Sequence, residues 1–155
     1  MYSELQDRAV RRSRGWALVA LTLVAGGLGA SAAWGDIQVH VMNCTSDEVE
    51  AQAFDSKDSV KAVAASTKKF SQSGESGSLH CAGEGKGYCQ MVLAVLDKPI
   101  ACSKADSGAI GGSVQFNLDS GKWAVVTGYQ TEKNSKGDLV CKPVVQLNLD
   151  SASCN

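Results

Sequence analysis

In the stretch Ile37-Gln38-Val39-His40-Val41-Met42, branched apolar residues occupy every second position. Successive side chains of a β-strand point to opposite faces, so this alternation predicts a strand with one buried face and puts His40 on the outward face. The same period of two recurs over Val49–Phe54. The polar residues Thr45–Glu48 between the two strands predict a hairpin loop.

Other segments extend the β pattern along the chain. The longest apolar run, Tyr88–Leu96, predicts a central strand buried on both faces. Pro143 lies in the last predicted strand and indicates a bulge or an edge position, because proline lacks the N–H that a ladder needs. The further predicted strands are Lys68–Ser71, Leu79–Ala82, Val114–Leu118, Trp123–Gln130 and Leu139–Leu149.

The turns between these strands are rich in glycine and serine. Gly83–Gly87 and Asp119–Lys122 are predicted as hairpin turns. Trp123 and Tyr129 are an even number of residues apart in one strand, hence on one face, and the core is the favoured place for Trp123. About eight short antiparallel strands at this spacing predict an all-β domain, a small disulfide-bonded β-sandwich with Greek-key-like connections, or else a small barrel.

The N-terminus has the three zones of a secretory signal. Met1–Gly15 carries four arginines, Trp16–Ala30 is apolar, and Ala30-Ser31-Ala32-Ala33 supplies small residues. This pattern predicts a signal peptide over residues 1–33, cleaved after residue 32, 33 or 35, and a single domain over 36–155. An uncleaved anchor is the alternative, but the second half of the apolar stretch is only weakly apolar.

The charge of the predicted mature domain excludes several partners. All four arginines lie in the leader; from Asp36 onward there are 11 lysines and 14 acidic residues, a net charge of −3. A domain without arginine lacks the guanidinium fork that binds phosphates and bases, and a negative surface repels polyanions. We therefore expect no nucleic acid, and no membrane partner after the leader is removed, because an anionic bilayer attracts a basic face.

Six cysteines behind an export signal predict three disulfides and an oxidising compartment, periplasmic or extracellular. Cys81 with Cys89 is the favoured pair, because the flexible Gly83–Gly87 turn lies between them. A bond from Cys141 to Cys154 is disfavoured, since an extended strand carries the chain roughly 26 Å away by Leu149. The remaining connectivity stays open. The cysteines are Cys44, Cys81, Cys89, Cys102, Cys141 and Cys154.

The sequence holds no assembled catalytic motif. His40 and His80 are weak candidates for a catalytic site, and neither has the spacing of a metal motif, so we expect no metal and no cofactor. Acidic residues occur near one another around Asp47 and Asp55, where solvated turn charges are the favoured interpretation. Asn43-Cys44-Thr45 matches a glycosylation sequon, which we discount because the leader looks bacterial.

These observations favour an exported, non-enzymatic binding domain whose partner is another protein, an envelope protein or a hydrolase that it inhibits. Recognition would lie in the loops Gln72–Gly77, Lys104–Gly112 and Lys133–Asp138. One alternative is a small extracytoplasmic hydrolase that uses His40 or His80 with a nearby acid. Another is a subunit of a surface assembly whose edge strands pair with neighbours.

Overall fold

The computed structural model describes residues 35–58, 60–95, 102 and 108–155. The predicted leader lies outside these ranges, as do the first four residues of the predicted loop Lys104–Gly112. Within them, no helix has both the length and the apolar character needed to cross a bilayer. The strands of the described chain are β1 (Asp36–Asn43), β2 (Val49–Phe54), β3 (Ser66–Phe70), β4 (Glu75–Ala82), β5 (Tyr88–Val95), β6 (Ile110–Gly111), β7 (Ser113–Asp119), β8 (Trp123–Lys133) and β9 (Leu139–Leu149).

The strands form two sheets. The five-stranded sheet has the order β4-β1-β8-β9-β6, and the four-stranded sheet has the order β3-β2-β5-β7. They bury a common core, so the all-β sandwich predicted from the alternation is confirmed. Two neighbouring pairs, β1 with β8 and β6 with β9, run parallel, whereas only antiparallel strands were expected.

The core is built from the alternate residues that the sequence pattern indicated. Val39 and Val41 of β1 are fully buried, and residues of the other sheet such as Met91 and Leu93 complete the same cluster. Phe70 is a large side chain with no exposure at the end of β3. Close packing of these inward side chains holds the two sheets together.

Three predicted hairpins are wrong. The segments Thr45–Glu48, Gly83–Gly87 and Asp119–Lys122 reverse the chain, but each joins strands of different sheets. The turns themselves are real: Lys122 N–H donates to Asp119 O at 3.0 Å. Turn residues specify that the chain reverses, but not the sheet to which the next strand belongs. When the chain crosses from one sheet to the other, consecutive strands can bury their apolar faces against each other.

One prediction about a single strand changes, and another is confirmed. β5 is central, between β2 and β7, but only one of its faces is fully buried; Gln90 and Val92 on the other face are half-buried. Pro143 occupies an edge position, because β6 pairs with β9 only as far as Cys141. The predicted loops also contain strand residues: Glu75–Gly77 belongs to β4, and Lys133 ends β8.

Trp123 and Tyr129 do not share a face. The register of β8 against β9 shifts between Trp123 and Val125 and again between Val126 and Gly128. An irregularity of this kind changes the alternation of side chains. Tyr129 therefore packs against the core, whereas Trp123 lies half-buried on the outer face and stacks on His40, which corrects its predicted core position.

Candidate functional site

The most organised side-chain contact on the outer face of the five-stranded sheet joins three neighbouring strands. His40 of β1 stacks on Trp123 of β8, with ring centroids 4.7 Å apart and an angle of 23° between the planes. The Nδ1 of His40 lies 2.9 Å from the Oγ of Ser78 on β4. We call these three residues the His40–Trp123 patch.

Strand register places the three side chains together. His40 is directly opposite Ser78 in the antiparallel β1–β4 ladder and opposite Trp123 in the parallel β1–β8 ladder. Residues directly opposite one another have close Cβ atoms, so their side chains meet on the same face. The imidazole is held between a hydroxyl and an indole, as the outward position predicted for His40 permits.

His80 lies on the same face but belongs to a different contact. It is opposite Gln38 in the β1–β4 ladder and exposed. With Asp36, Gln38, Ser78 and Leu79 it lines an open depression of about 360 Å³. The backbone of His80 is tied to Ser66 of the other sheet: its N–H donates to Ser66 Oγ at 2.9 Å, and Ser66 Oγ donates to its carbonyl at 2.8 Å.

The chemistry open to the patch is that of a serine–imidazole pair without an orienting acid. In the described chain the contacts of His40 are a serine hydroxyl and an aromatic ring, and neither orients an imidazole as a carboxylate does. Nucleophilic catalysis also needs donors aimed at a developing oxyanion. The arrangement places one indole, one imidazole and one hydroxyl side by side on the outer face.

Metal and carboxylate chemistry have little support among the described residues. No group of three His, Cys, Asp or Glu side chains there is placed to hold an ion. The Asp55 carboxylate accepts the Ala82 N–H at 2.6 Å, which anchors a turn. Lys69 Nζ lies 3.7 Å from Glu48 and 4.0 Å from Glu50. These acidic residues therefore act in local structure, at separate places on the surface.

Asn43 forms a buried polar cluster where the chain crosses between sheets. Its Oδ1 accepts the Thr45 N–H at 3.0 Å and the Thr45 hydroxyl at 2.7 Å, and its Nδ2 donates to the carbonyl of Asp47 at 2.8 Å. Asn43 has no exposed surface. An amide that satisfies the backbone in this way is not available for glycosylation in the folded domain.

Tyr129 closes the same cluster from β8. Its hydroxyl is hydrogen-bonded to Thr45 Oγ1. Burial raises the pKa of Tyr129 above its usual value, against the smaller opposing effect of that hydrogen bond. The neutral phenol is therefore favoured in the folded domain, as expected of a structural contact rather than of a catalytic group.

Every cysteine is bonded. Cys81 and Cys89 are joined across the Gly83–Gly87 turn, with Cα atoms 5.8 Å apart. The two long-range bonds, which the sequence left open, are Cys44–Cys154 and Cys102–Cys141. Three intramolecular disulfides are typical of proteins in oxidising compartments outside the cytosol.

The chain matches no model of a known protein family, and it has no significant match among curated proteins. Ser78 and Trp123 are the residues of the patch that the sequence did not connect with His40. No local signal connects them, because Ser78 is 38 positions from His40 and Trp123 lies in a third strand.

Proposed function

We propose that this chain is an exported, non-enzymatic protein-binding domain of the periplasm or the extracellular space, and that the His40–Trp123 patch is the centre of its binding face. Three disulfides and the predicted leader support export. The stacking of the partly exposed Trp123 on His40 is the single observation that carries the binding face.

The physical reason lies in what the indole offers. Tryptophan supplies a large rigid contact area at a small cost in conformational entropy, and it is enriched among the residues that dominate binding energy. Stacking on His40 and the Ser78 hydrogen bond fix the ring and its neighbours before binding. A preorganised aromatic on an open sheet face suits a protein surface better than a small molecule, which needs a deeper enclosure.

Site-specific photo-crosslinking in the producing cell tests this proposal. A photoreactive amino acid replaces Gln38, which is exposed and one pleat from His40, and a second version carries it at Lys69 on the other sheet. We expect a discrete crosslinked protein from position 38 and none from position 69. Trp123→Ala should weaken the binding at least about thirtyfold, the effect of losing a dominant aromatic contact.

Trp123→Phe is the matched variant, because it retains an aromatic ring for His40 to stack on. It should preserve part of the crosslink that Trp123→Ala removes. Equal crosslinking from positions 38 and 69, or a crosslink unchanged by Trp123→Ala, would show that this patch is not the binding face.

A hydrolase remains the second candidate because one observation favours it, the 2.9 Å contact between His40 Nδ1 and Ser78 Oγ. An activated serine reacts with a fluorophosphonate probe. Labelling of Ser78 in the wild type that is lost in His40→Ala would support catalysis over binding. We expect no labelling, because the contacts of His40 within the described part of the chain include no carboxylate.

A further inference from the structure

The outer strand of the four-stranded sheet, β7, has one free side. In the described chain it pairs only with β5. The bonds just beyond its two ends show which of its residues face β5: Ser120 N–H donates to Gly87 O at 2.9 Å, and Val95 N–H donates to Gly112 O at 3.0 Å. The backbone N–H and C=O groups of successive residues point to opposite sides of a strand, so those of the even-numbered residues of β7 point toward β5.

The odd-numbered residues of β7 therefore direct their N–H and C=O groups away from the sheet. Asp119 confirms this direction, because its N–H donates to the Asn148 side chain at 3.0 Å. The corresponding groups of Gln115 and Asn117 have no hydrogen bond to any other described residue. They form a short row of unpaired donors and acceptors.

The outer strands β3 and β4 have protected edges, and β7 does not. The outer strand β3 carries Lys68 and Lys69, which discourage strand addition, and the edge of β4 is bridged by Ser66. β7 reads Ser-Val-Gln-Phe-Asn-Leu-Asp, with one charge, at its last residue. Natural proteins rarely leave a neutral edge of this length open without a use for it.

The apolar side of this edge is incompletely covered. Val114 and Phe116 pack against the core but remain only partly buried, whereas Leu118 is fully buried. A strand added beside β7 would remove more of both side chains from water. The edge therefore offers backbone hydrogen bonds and apolar area together, the two requirements of strand addition.

We propose that the strand that pairs with β7 is β7 of a second copy of this chain, antiparallel about Phe116. The two four-stranded sheets would then form one continuous sheet. Because the odd-numbered residues face outward, Gln115 and Asn117 of the second copy would exchange two backbone hydrogen bonds, and the symmetric pair would exchange two more. Phe116 would lie opposite Phe116 of the second copy, in a pair whose side chains approach closely.

The sequence of β7 is complementary to itself in this register. Val114 would face Leu118 of the second copy on the apolar side, and Gln115 would face Asn117 of the second copy on the polar side. Asp119 would face Ser113 of the second copy, so the two carboxylates would be about 20 Å apart at ~3.3 Å per residue. That separation exceeds the ~8 Å screening length at physiological salt, so the like charges do not oppose pairing.

Two double variants with the same positions changed test the register. Gln115→Lys/Asn117→Lys would place like charges opposite each other at both pairs, and Gln115→Glu/Asn117→Lys would place opposite charges there. Sedimentation velocity of the oxidised full chain should show a dimer for the wild type and for the Glu/Lys variant. The Lys/Lys variant should dissociate at least about tenfold more readily, given the energies of cross-strand charge pairs.

Gln115→Pro is the second variant, because it removes a free-side N–H and leaves the β5 ladder intact. It should be monomeric, with a far-ultraviolet circular dichroism spectrum like that of the wild type. A wild type that stays monomeric up to about 1 mM, a concentration at which weak pairs form, would overturn the proposal. So would a dimer that survives both the Lys/Lys and the proline changes.

This inference is independent of the binding face. It stands on the edge of the four-stranded sheet, whereas the His40–Trp123 patch lies on the outer face of the other sheet. Trp123→Ala should leave the dimer unchanged, so failure of one proposal is distinguishable from failure of the other.

Discussion

The two sides of the sandwich are closed in different ways. On the closed side, where β3 and β4 meet, Ser66 bonds both backbone groups of His80, and Ala82 is held by Asp55 and Ser56. On the open side, where β7 approaches β9, the Asp119 N–H donates to the side-chain oxygen of Asn148. Phe70 is fully buried on β3, whereas Phe116 is only partly buried on β7.

Covalent bonds compensate for this difference. Both long-range disulfides anchor β9 or its continuation: Cys102 is bonded to Cys141 in β9, and Cys44 is bonded to Cys154 just beyond it. The short-range Cys81–Cys89 bond lies at the end of β4, next to the closed side. Hydrogen bonds and packing therefore hold the closed side, whereas on the open side the Cys102–Cys141 bond ties β9 to the chain that precedes β7.

The largest expected effect comes from removing the disulfide that closes the longest loop. The Cys44–Cys154 bond spans 110 residues and the Cys81–Cys89 bond spans 8. Restriction of the unfolded chain predicts a loss of roughly 4–5 kcal/mol for Cys44→Ala/Cys154→Ala and roughly 2–3 kcal/mol for Cys81→Ala/Cys89→Ala. Urea unfolding measures both, and a larger loss for the short loop would contradict the comparison.

Alanine substitution of one phenylalanine on each side measures the difference in packing. Phe70→Ala should lower the free energy of unfolding by about 3–5 kcal/mol, because it opens a cavity in a dry core. Phe116→Ala should cost about half as much, since part of the ring is already in contact with water. Urea unfolding at one low protein concentration tests this, and equal losses would show that the open side is packed as tightly as the closed side.

Local pattern and overall architecture were predictable to different degrees. The alternation in Ile37–Met42 predicted β1 and its buried face, because a strand with one buried face carries an apolar residue at every second position. The partner of β1 was not predictable. Residues Thr45–Glu48 would form a turn whether β2 lay beside β1 in the same sheet or faced it from the other sheet. Which of the two arrangements forms depends on the packing of the whole core.

On each side, a side chain forms hydrogen bonds to the backbone. Removing these bonds should give a smaller difference in stability between the two sides. Ser66→Ala removes two bonds to the backbone of His80 and should cost about 1 kcal/mol. Asn148→Gly removes one bond to Asp119 and should cost at most about 0.5 kcal/mol, because glycine readily adopts the positive φ of 56° found there. Hydrogen exchange at the amides of His80 and Asp119 would report each loss separately.

The binding face shows where sequence reasoning ends. The outward position of His40 followed from the period of β1. Its contacts with Ser78 and Trp123 depend on two ladder registers, and the position of Trp123 depends also on irregularities in β8 that a period of two does not reveal. These are properties of distant strands, and they become visible only when the strands are assembled.

The smallest effect is expected from the ion pair between Lys122 and Asp150 at the end of the open side. The hydrogen bond and charge of Lys122 lower the pKa of the Asp150 carboxyl, and the hydrogen bond and charge of Asp150 raise the pKa of Lys122. The carboxyl therefore contributes stability above its ordinary pKa and loses it as the pH falls through the lowered value. The lysine contributes below its ordinary pKa and loses that stability as the pH rises through the raised value.

Asp150→Asn should therefore lower the urea midpoint slightly at pH 7, where both groups are charged. The difference from the wild type should shrink as the pH falls through the lowered pKa of the carboxyl. It should also shrink in about 1 M salt, because the exposed Asp150 and the partly exposed Lys122 are screened. A midpoint difference that persists at low pH and in high salt would mean that Asp150 acts through packing. The open side would then be held by more than the Cys102–Cys141 disulfide and polar contacts.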